Sequence, residues 1–220
     1  MKKKKKDTSD KVLDAAEALF AQHGYDGTTT RQIASAAGIS IQTLHYHGGN
    51  KLNLYSQVLQ RSIVPVTKMI NRHIENMMTG DLNDDGAMQE SLEKLMDELL
   101  EVLHQNPNFP LLFFRQWLER DPSLRRVEWE QLVPFLRKWI KEVEGRVDAK
   151  RRRGIDLPLA FISLSFIYWG LFSNPVFIGK FLDLDPESPD YFERLKIHTK
   201  EVTSRILGRK SEFRSSGRKG

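Results

Sequence analysis

Seven side chains between Ile41 and Lys51 have the types and spacing to do chemistry: Ile41, Gln42, Thr43, His45, Tyr46, His47 and Lys51. They comprise one branched apolar group, an amide, a hydroxyl, two imidazoles, a phenol and an ammonium. This set suits hydrogen bonding better than bond making. The chain has no cysteine, so thiolate catalysis and disulfides are excluded. It has no glycine-rich phosphate loop and no H-E-x-x-H spacing. His45 and His47 stand two apart, which on a helix puts them on different sides and spoils them as joint metal ligands. An enzyme is therefore not expected, and neither is a cofactor or a metal. The major groove of DNA, in contrast, shows each base pair a distinct pattern of donors and acceptors. Gln42 can pair bidentately with adenine, Ile41 can meet a thymine methyl, and His45 can donate to guanine or another acceptor. Thr43, Tyr46 and His47 suit phosphate oxygens.

Such groups need a short rigid element to carry them into the groove. Thr29 precedes Gln32 by three residues, the spacing of a capping box that starts a helix. Ile33, Ala34 and Ala37 fall on one face of it. Gly38 supplies the positive-φ stop. Ser40 caps a second helix, Ile41 to His47, which Leu44 pins to the first. Helix, glycine turn and helix with a polar outward face form a helix-turn-helix for double-stranded DNA. Thr29, Thr30 and Arg31 sit at the first helix's N-terminus, where free N–H groups favour a phosphate.

Leu13-Asp14-Ala15-Ala16, Leu19-Phe20, Gly24-Tyr25, Thr28-Thr29, Ile33-Ala34, Ala37-Gly38-Ile39-Ser40, Thr43-Leu44, Tyr46-His47 and Lys51 together resemble the DNA-binding domain of TetR-family transcriptional regulators. The resemblance spans about residues 10 to 58. It implies base contacts for Ile41, Gln42 and His45, and phosphate contacts for Thr43, Tyr46, His47 and Lys51. It also implies a homodimer on a pseudo-palindromic operator, acting in the cytoplasm as a repressor that a small-molecule effector releases. In this family a phenylalanine or similar residue usually follows the histidine; here Gly48 and Gly49 stand there. Losing an aromatic from a small core costs about 3–5 kcal/mol without repacking. Leu52, where an acidic residue is common, is expected to refill part of the space.

The net charge of +5 is concentrated at the ends. Lys2 to Lys6 form a basic arm and residues 209–220 a basic tail, leaving the body net negative. Both ends are expected to be disordered and to add non-specific phosphate attraction or solubility. No apolar core follows the lysines, as a signal peptide would require. The apolar stretch Leu157 to Gly179 is long enough to span a membrane, but Ser163, Ser165, Tyr168, Ser173, Asn174 and Pro175 interrupt it. A buried bundle helix is expected, and no membrane partner.

The rest reads as helices, so the fold class is all-α, with no strand and no repeat. A helix runs from Ser9 or Asp10 to His23, with Val12, Leu13, Ala16, Leu19, Phe20 and His23 on one face. Asn50 caps a helix from Lys51 that Pro65 should kink or break. Thr79 to Gly86 is a loop whose Asp81, Asn83 and Asp85 resemble a calcium loop lacking its glutamate. Further helices are expected over 87–105, 109–120, 123–151 (bent near Pro134), 157–173, 176–181 and 190–207. Lys150 to Arg153 form a basic helix end. The expected organisation is a basic arm (1–8), a DNA-binding domain (9–54), a ligand-binding and dimerisation domain (55–208) and a basic tail (209–220).

By the same resemblance, Phe113, Phe114, Trp117, Phe161, Tyr168 and Trp169 line a pocket for an apolar or aromatic effector. Phe166, Phe192 and Leu195 contribute to the dimer interface. The alternative is a C-terminal domain that recruits a protein partner instead of a small ligand.

Overall fold

The computed structural model describes residues 7–80, 84–118, 121–125, 130, 133–146 and 154–207. The basic arm at Lys2–Lys6, Asp81 and Asn83 of the loop, the basic run 150–153 and the tail from 209 lie outside the described residues. Among the described residues every regular element is helical, in two compact units. One unit comprises Met1–Lys68 and Asn108–Phe135, the other Met69–Pro107 and Leu136–Gly220.

The first unit opens with α1 (Thr8–His23), capped by Asp7 and closed at Gly24 with φ 74°. Val12, Ala16 and Phe20 face its core, while His23, the last member of the expected apolar face, is exposed. Then come α2 (Thr30–Ala37) and α3 (Ile41–Gly48). Next is α4 (Lys51–Thr79), whose start is capped by the Asn50 carboxamide accepting from Asn53 N–H at 2.8 Å. The helix does not break at Pro65. Proline removes one N–H, which frees the carbonyl of Arg61. Val64 and Pro65 are exposed, so water can take that carbonyl. Arg61 also ties α4 to α1, its guanidinium donating to Asp14 at 2.8 Å and Glu17 at 2.6 Å.

Helix α6 (Asn108–Leu118) belongs to this same unit, although the sequence assigns it to a C-terminal domain. It packs on α1. The Arg115 guanidinium reaches across, donating from Nε to the Ala21 carbonyl at 2.7 Å and from Nη2 to that of Gln22 at 2.6 Å. These are carbonyls of the last turn of α1, which a helix leaves without internal donors. A cation there also opposes the negative end of the helix dipole. A short 3₁₀ turn (Pro122–Arg125) follows, so the helix expected from Ser123 does not begin there.

The second unit holds α5 (Asp85–Gln105), α7 (Val133–Arg146, beginning just before the unit boundary), α8 (Leu157–Ser173), α9 (Pro175–Leu182) and α10 (Pro189–Ile206). Pro134 is the second described residue of α7, and the residues just before it, 131 and 132, where a bend was expected, lie outside the described residues. No single helix among the described residues is long and apolar enough to cross a membrane; α8 and α9 meet at an angle of 84° at Asn174. The buried side of α10 differs from the apolar stripe that helical spacing predicts, Phe192, Leu195, Val202, Ile206 and Leu207: besides Leu195 it carries Tyr191, Thr199, Thr203 and Ser204. The threonines satisfy themselves, Thr199 donating to the Leu195 carbonyl and Thr203 to that of Thr199, both at 2.8 Å.

Candidate nucleic-acid interface

The reading helix is built from two caps and a buried leucine. Thr29 Oγ accepts from Gln32 N–H at 3.2 Å, and Gln32 Oε1 accepts from Thr29 N–H at 2.8 Å, completing the expected capping box. Gly38 stops α2 at φ 67°, ψ 36°, the left-handed conformation that glycine takes without strain. Ser40 Oγ accepts from Thr43 N–H at 3.1 Å and starts α3. Leu44 is fully buried and fixes which side of α3 faces outward.

On that outward side Gln42 is exposed and its amide makes no hydrogen bond among the described residues. Ile41 and Thr43 are half-exposed. His45 is one turn beyond Ile41 and lies beside Gln42 at i+3. Its ring Nδ1 lies 2.9 Å from the Gly49 carbonyl oxygen. Tyr46 is 86% exposed, so its ring is not a packing group, and it meets His47 edge-on with centroids 5.1 Å apart. Lys51 is held in place: its ammonium sits 4.1 Å from the centre of the Tyr25 ring. Tyr25 in turn stacks on Phe20 and packs edge-on against Tyr55, at 6.1 and 5.2 Å. The Lys51 ammonium thus stands on an aromatic cluster beneath the motif. Of the three groups expected at the start of α2, Arg31 is exposed and Thr30 half-exposed. The Thr29 hydroxyl is committed to its cap and donates back to Gln32 Oε1 at 2.8 Å.

Gly48 is explained by its neighbour. A Cβ at that position would lie 2.3 Å from Leu54 Cδ2 and 2.7 Å from its Cγ. The side chain filling the place of the usual aromatic is therefore Leu54, 0% exposed, and not Leu52. Leu52 is one residue into α4 and points to a different side. The Gly48 carbonyl accepts from the Gln57 amide at 3.3 Å, anchoring the turn to α4.

One signal escaped the sequence reading. Residues 27 to 74 contain no Asp or Glu. The reading pair and most of α4 therefore offer no carboxylate of their own to repel a phosphate backbone, although the protein's body is net negative. Thr28 was missed as well: its buried hydroxyl donates to the carbonyl of Gly24 at 2.8 Å, locking the loop that leads into α2.

The groups expected around an effector fall in different units. Phe113, Phe114 and Trp117 lie on α6, with Trp117 edge-on to Phe113 at 4.8 Å. Phe161, Tyr168 and Trp169 lie on α8. Tyr168 is buried and its hydroxyl pairs with Thr203 Oγ1 at 2.9 Å; burial pushes its pKa up to about 12. Between Phe113 and Trp117 lies Gln116, which sequence reasoning passed over. It is 0% exposed, and both atoms of its amide lack a hydrogen-bond partner among the described residues. Of the expected dimer residues, Phe166 is exposed on α8. Phe192 packs against His104 and Phe172, at 4.3 and 6.4 Å. Leu195 is buried within its own chain, leaving no surface for a partner.

A glycine-turned helix pair with a bare polar face, braced by a capped first helix, is a DNA-binding helix-turn-helix at the head of an all-α protein. Comparison with known proteins narrows this. Residues 12–58 match the family model of "Bacterial regulatory proteins, tetR family". The "Probable HTH-type transcriptional regulator YttP" of Bacillus subtilis is 24% identical over 201 residues, 89% of this chain and 93% of that protein. The IcaR negative transcriptional regulator of the biofilm operon icaADBC in Staphylococcus aureus is 44% identical over 48 residues, 22% of this chain and 26% of IcaR. Among solved structures, a TetR-like regulator from Rhodococcus sp. RHA1 superposes with a TM-score of 0.63 at 16% identity, over 92% of this chain and 97% of that one. The fatty acid degradation regulator FadR of Bacillus halodurans does so with 0.60 at 22%, over 94% and 97%. Residues 12–58 thus form a TetR-type DNA-binding domain, and these likenesses support a DNA-binding transcriptional regulator.

Proposed function

We propose that the protein is a cytoplasmic homodimeric repressor that reads a pseudo-palindromic operator and leaves it when a small effector binds. The observation that carries the base-reading part is the outward face of α3, where Gln42 and His45 are exposed and the Gln42 amide makes no hydrogen bond among the described residues. Ile41, Gln42 and His45 take base edges; Thr43, Tyr46, His47 and Lys51 take phosphates, with Thr30, Arg31 and the N–H groups at the start of α2. Two copies would set their reading helices about 34–36 Å apart, one turn of DNA. The dimer surface we favour is the exposed apolar side of α8 and α10, with Leu159, Ile162 and Ile197 and the half-exposed Phe166.

The effector reading rests on α6. One helix carries Phe113, Phe114 and Trp117, the unpartnered Gln116 amide, and Arg115, which grips the end of α1. A buried amide with neither donor nor acceptor matched costs about 1–3 kcal/mol, and a ligand bearing a complementary pair relieves it. We therefore place a mostly aromatic or apolar effector with one carboxamide-like or carboxylic group beside α6. Binding would shift α6, and Arg115 would carry the shift to α1. Only differential affinity for the two states can do this. Moving a 1:99 equilibrium to 99:1 takes about 5.5 kcal/mol of it. The second reading, recruitment of a protein, draws on the exposed Val176, Phe177 and Phe181 of α9.

The test is selection of random duplexes by the full-length protein, then challenge of the bound complex with a panel of aromatic amides and acids. A two-fold symmetric site and release by a panel member are expected. A folded protein that enriches no sequence overturns the operator reading. Release by no compound, together with capture of the complex by a protein, favours recruitment.

A further inference from the structure

The turn after α3 determines which nitrogen of His45 carries the proton. Nδ1 lies 2.9 Å from the carbonyl oxygen of Gly49. That oxygen has lone pairs and no hydrogen, so the bond exists only if Nδ1–H donates. In the neutral ring the other nitrogen, Nε2, is then bare, and it is the one turned away from the turn. The geometry is enforced from several sides. Gly49 sits at φ 68°, ψ −136°, a conformation open in practice to glycine alone, and this aims its carbonyl back at the ring. Its own N–H donates to the His45 carbonyl at 3.0 Å. The preceding Gly48 is pinned by Gln57 through its carbonyl and by Leu54 packed over its Cα.

We propose that the Gly48-Gly49 turn fixes His45 as the Nδ1–H tautomer, so that Nε2 reads the operator as an acceptor and selects a base presenting an exocyclic amine. In the major groove that means N6 of adenine or N4 of cytosine. The guanine O6 and N7 and the thymine O4 are acceptors and face a lone pair. This reverses the donation to guanine that residue type alone suggests. The glycine pair that departs from the family's usual pattern thereby has a purpose: it supplies the carbonyl that orients the ring.

The proposal rests on His45 contacting a base, and the test separates the two ideas. Operators selected by the full-length protein and by His45→Ala are compared at mildly alkaline pH. The half-site position whose preference His45→Ala abolishes should carry adenine or cytosine. Removing the amine there, with purine for adenine or 2-pyrimidinone for cytosine, should weaken the unsubstituted protein by between about fivefold and about a hundredfold. It should leave His45→Ala unchanged. Guanine or thymine at that position overturns the tautomer while base reading stands. If no position depends on His45, the base-reading role fails and the tautomer's role fails with it. Nitrogen-15 spectra of the unsubstituted protein need no variant: a protonated Nδ1 and a bare Nε2 are expected for His45, and the reverse pattern refutes the proposal.

Discussion

Replacing Gly48 by alanine is the sharpest probe of the reading head. The added methyl would stand 2.3 Å from Leu54 Cδ2 and 2.7 Å from Cγ, both far inside van der Waals contact. Leu54 is 0% exposed, so its side chain cannot swing into water to make room. Overpacking of this kind costs about 1–3 kcal/mol. Alanine returns about 0.5–1 kcal/mol through its better helix propensity. Gly48 carries no positive φ, so no backbone strain is added. The net expectation is a loss of about 1–2 kcal/mol, lowering the melting midpoint by roughly 2–8 °C. Leu54→Ala alone should cost about 2–5 kcal/mol by leaving a cavity. Together the two changes should be less harmful than their sum by about 1 kcal/mol or more, because each makes room for the other. Urea unfolding of the four proteins, followed by circular dichroism, gives the cycle. A neutral or stabilising Gly48→Ala, or additivity within about 0.5 kcal/mol, would refute the claim that Leu54 occupies the missing aromatic's place.

Four further outcomes follow from the same geometry. Gln42→Ala should relax base preference at one position of each half-site by about 1–3 kcal/mol, whereas Lys51→Ala should weaken every duplex alike and flatten the salt dependence; exchange of these phenotypes contradicts the assignments. Gln116→Leu should stabilise the ligand-free protein by about 1–3 kcal/mol in thermal unfolding, since it removes an unmatched buried amide, and a loss would mean the amide is satisfied. Arg115→Ala should destabilise by about 1.5–3 kcal/mol and blunt release by effector while operator affinity survives, and an unchanged effector response would remove α6 from the coupling. Burial opposes ionisation of Asp97, but its ion pairs with Lys200 at 2.5 Å and Lys196 at 3.0 Å outweigh it and hold the carboxyl below the ordinary range. Its stabilising effect is therefore present above the ordinary aspartate range and lost as pH falls through the lowered value, so Asp97→Asn should flatten the acid side of a stability–pH curve.

The reading head was legible because its signals are local. A capping residue and its partner stand three apart, a glycine marks a left-handed stop, and Leu44 is the apolar residue of a short polar helix. What failed to show depends on distance along the chain. Nothing near Gly48 announces Leu54, because a packing partner six residues on can lie on any side. Arg115 reads as an ordinary surface cation until α1 is beside it, ninety-odd residues earlier in the chain. The apolar stripe on α10 misled because threonines that bond to their own helix can be buried like valines. Pro65 leaves α4 unbroken for the opposite reason: its local cost is real, but the lost bond falls on an exposed stretch where water can replace it.

Part of the reading unit is drawn from much later in the chain: residues 108–135 complete what 1–68 begin. During synthesis at about 5–20 residues per second, the ribosome reaches residue 135 roughly 3–13 s after residue 68. Through that interval the end of α1 has no guanidinium on its carbonyls and no α6 to cover it. The DNA-reading head is therefore completed only after the whole of the second unit's α5 has been made. A gene fragment ending at residue 68 should yield a frayed head that no linker repairs, and a hybrid regulator made by exchanging reading heads should carry over α6 as well as the first four helices.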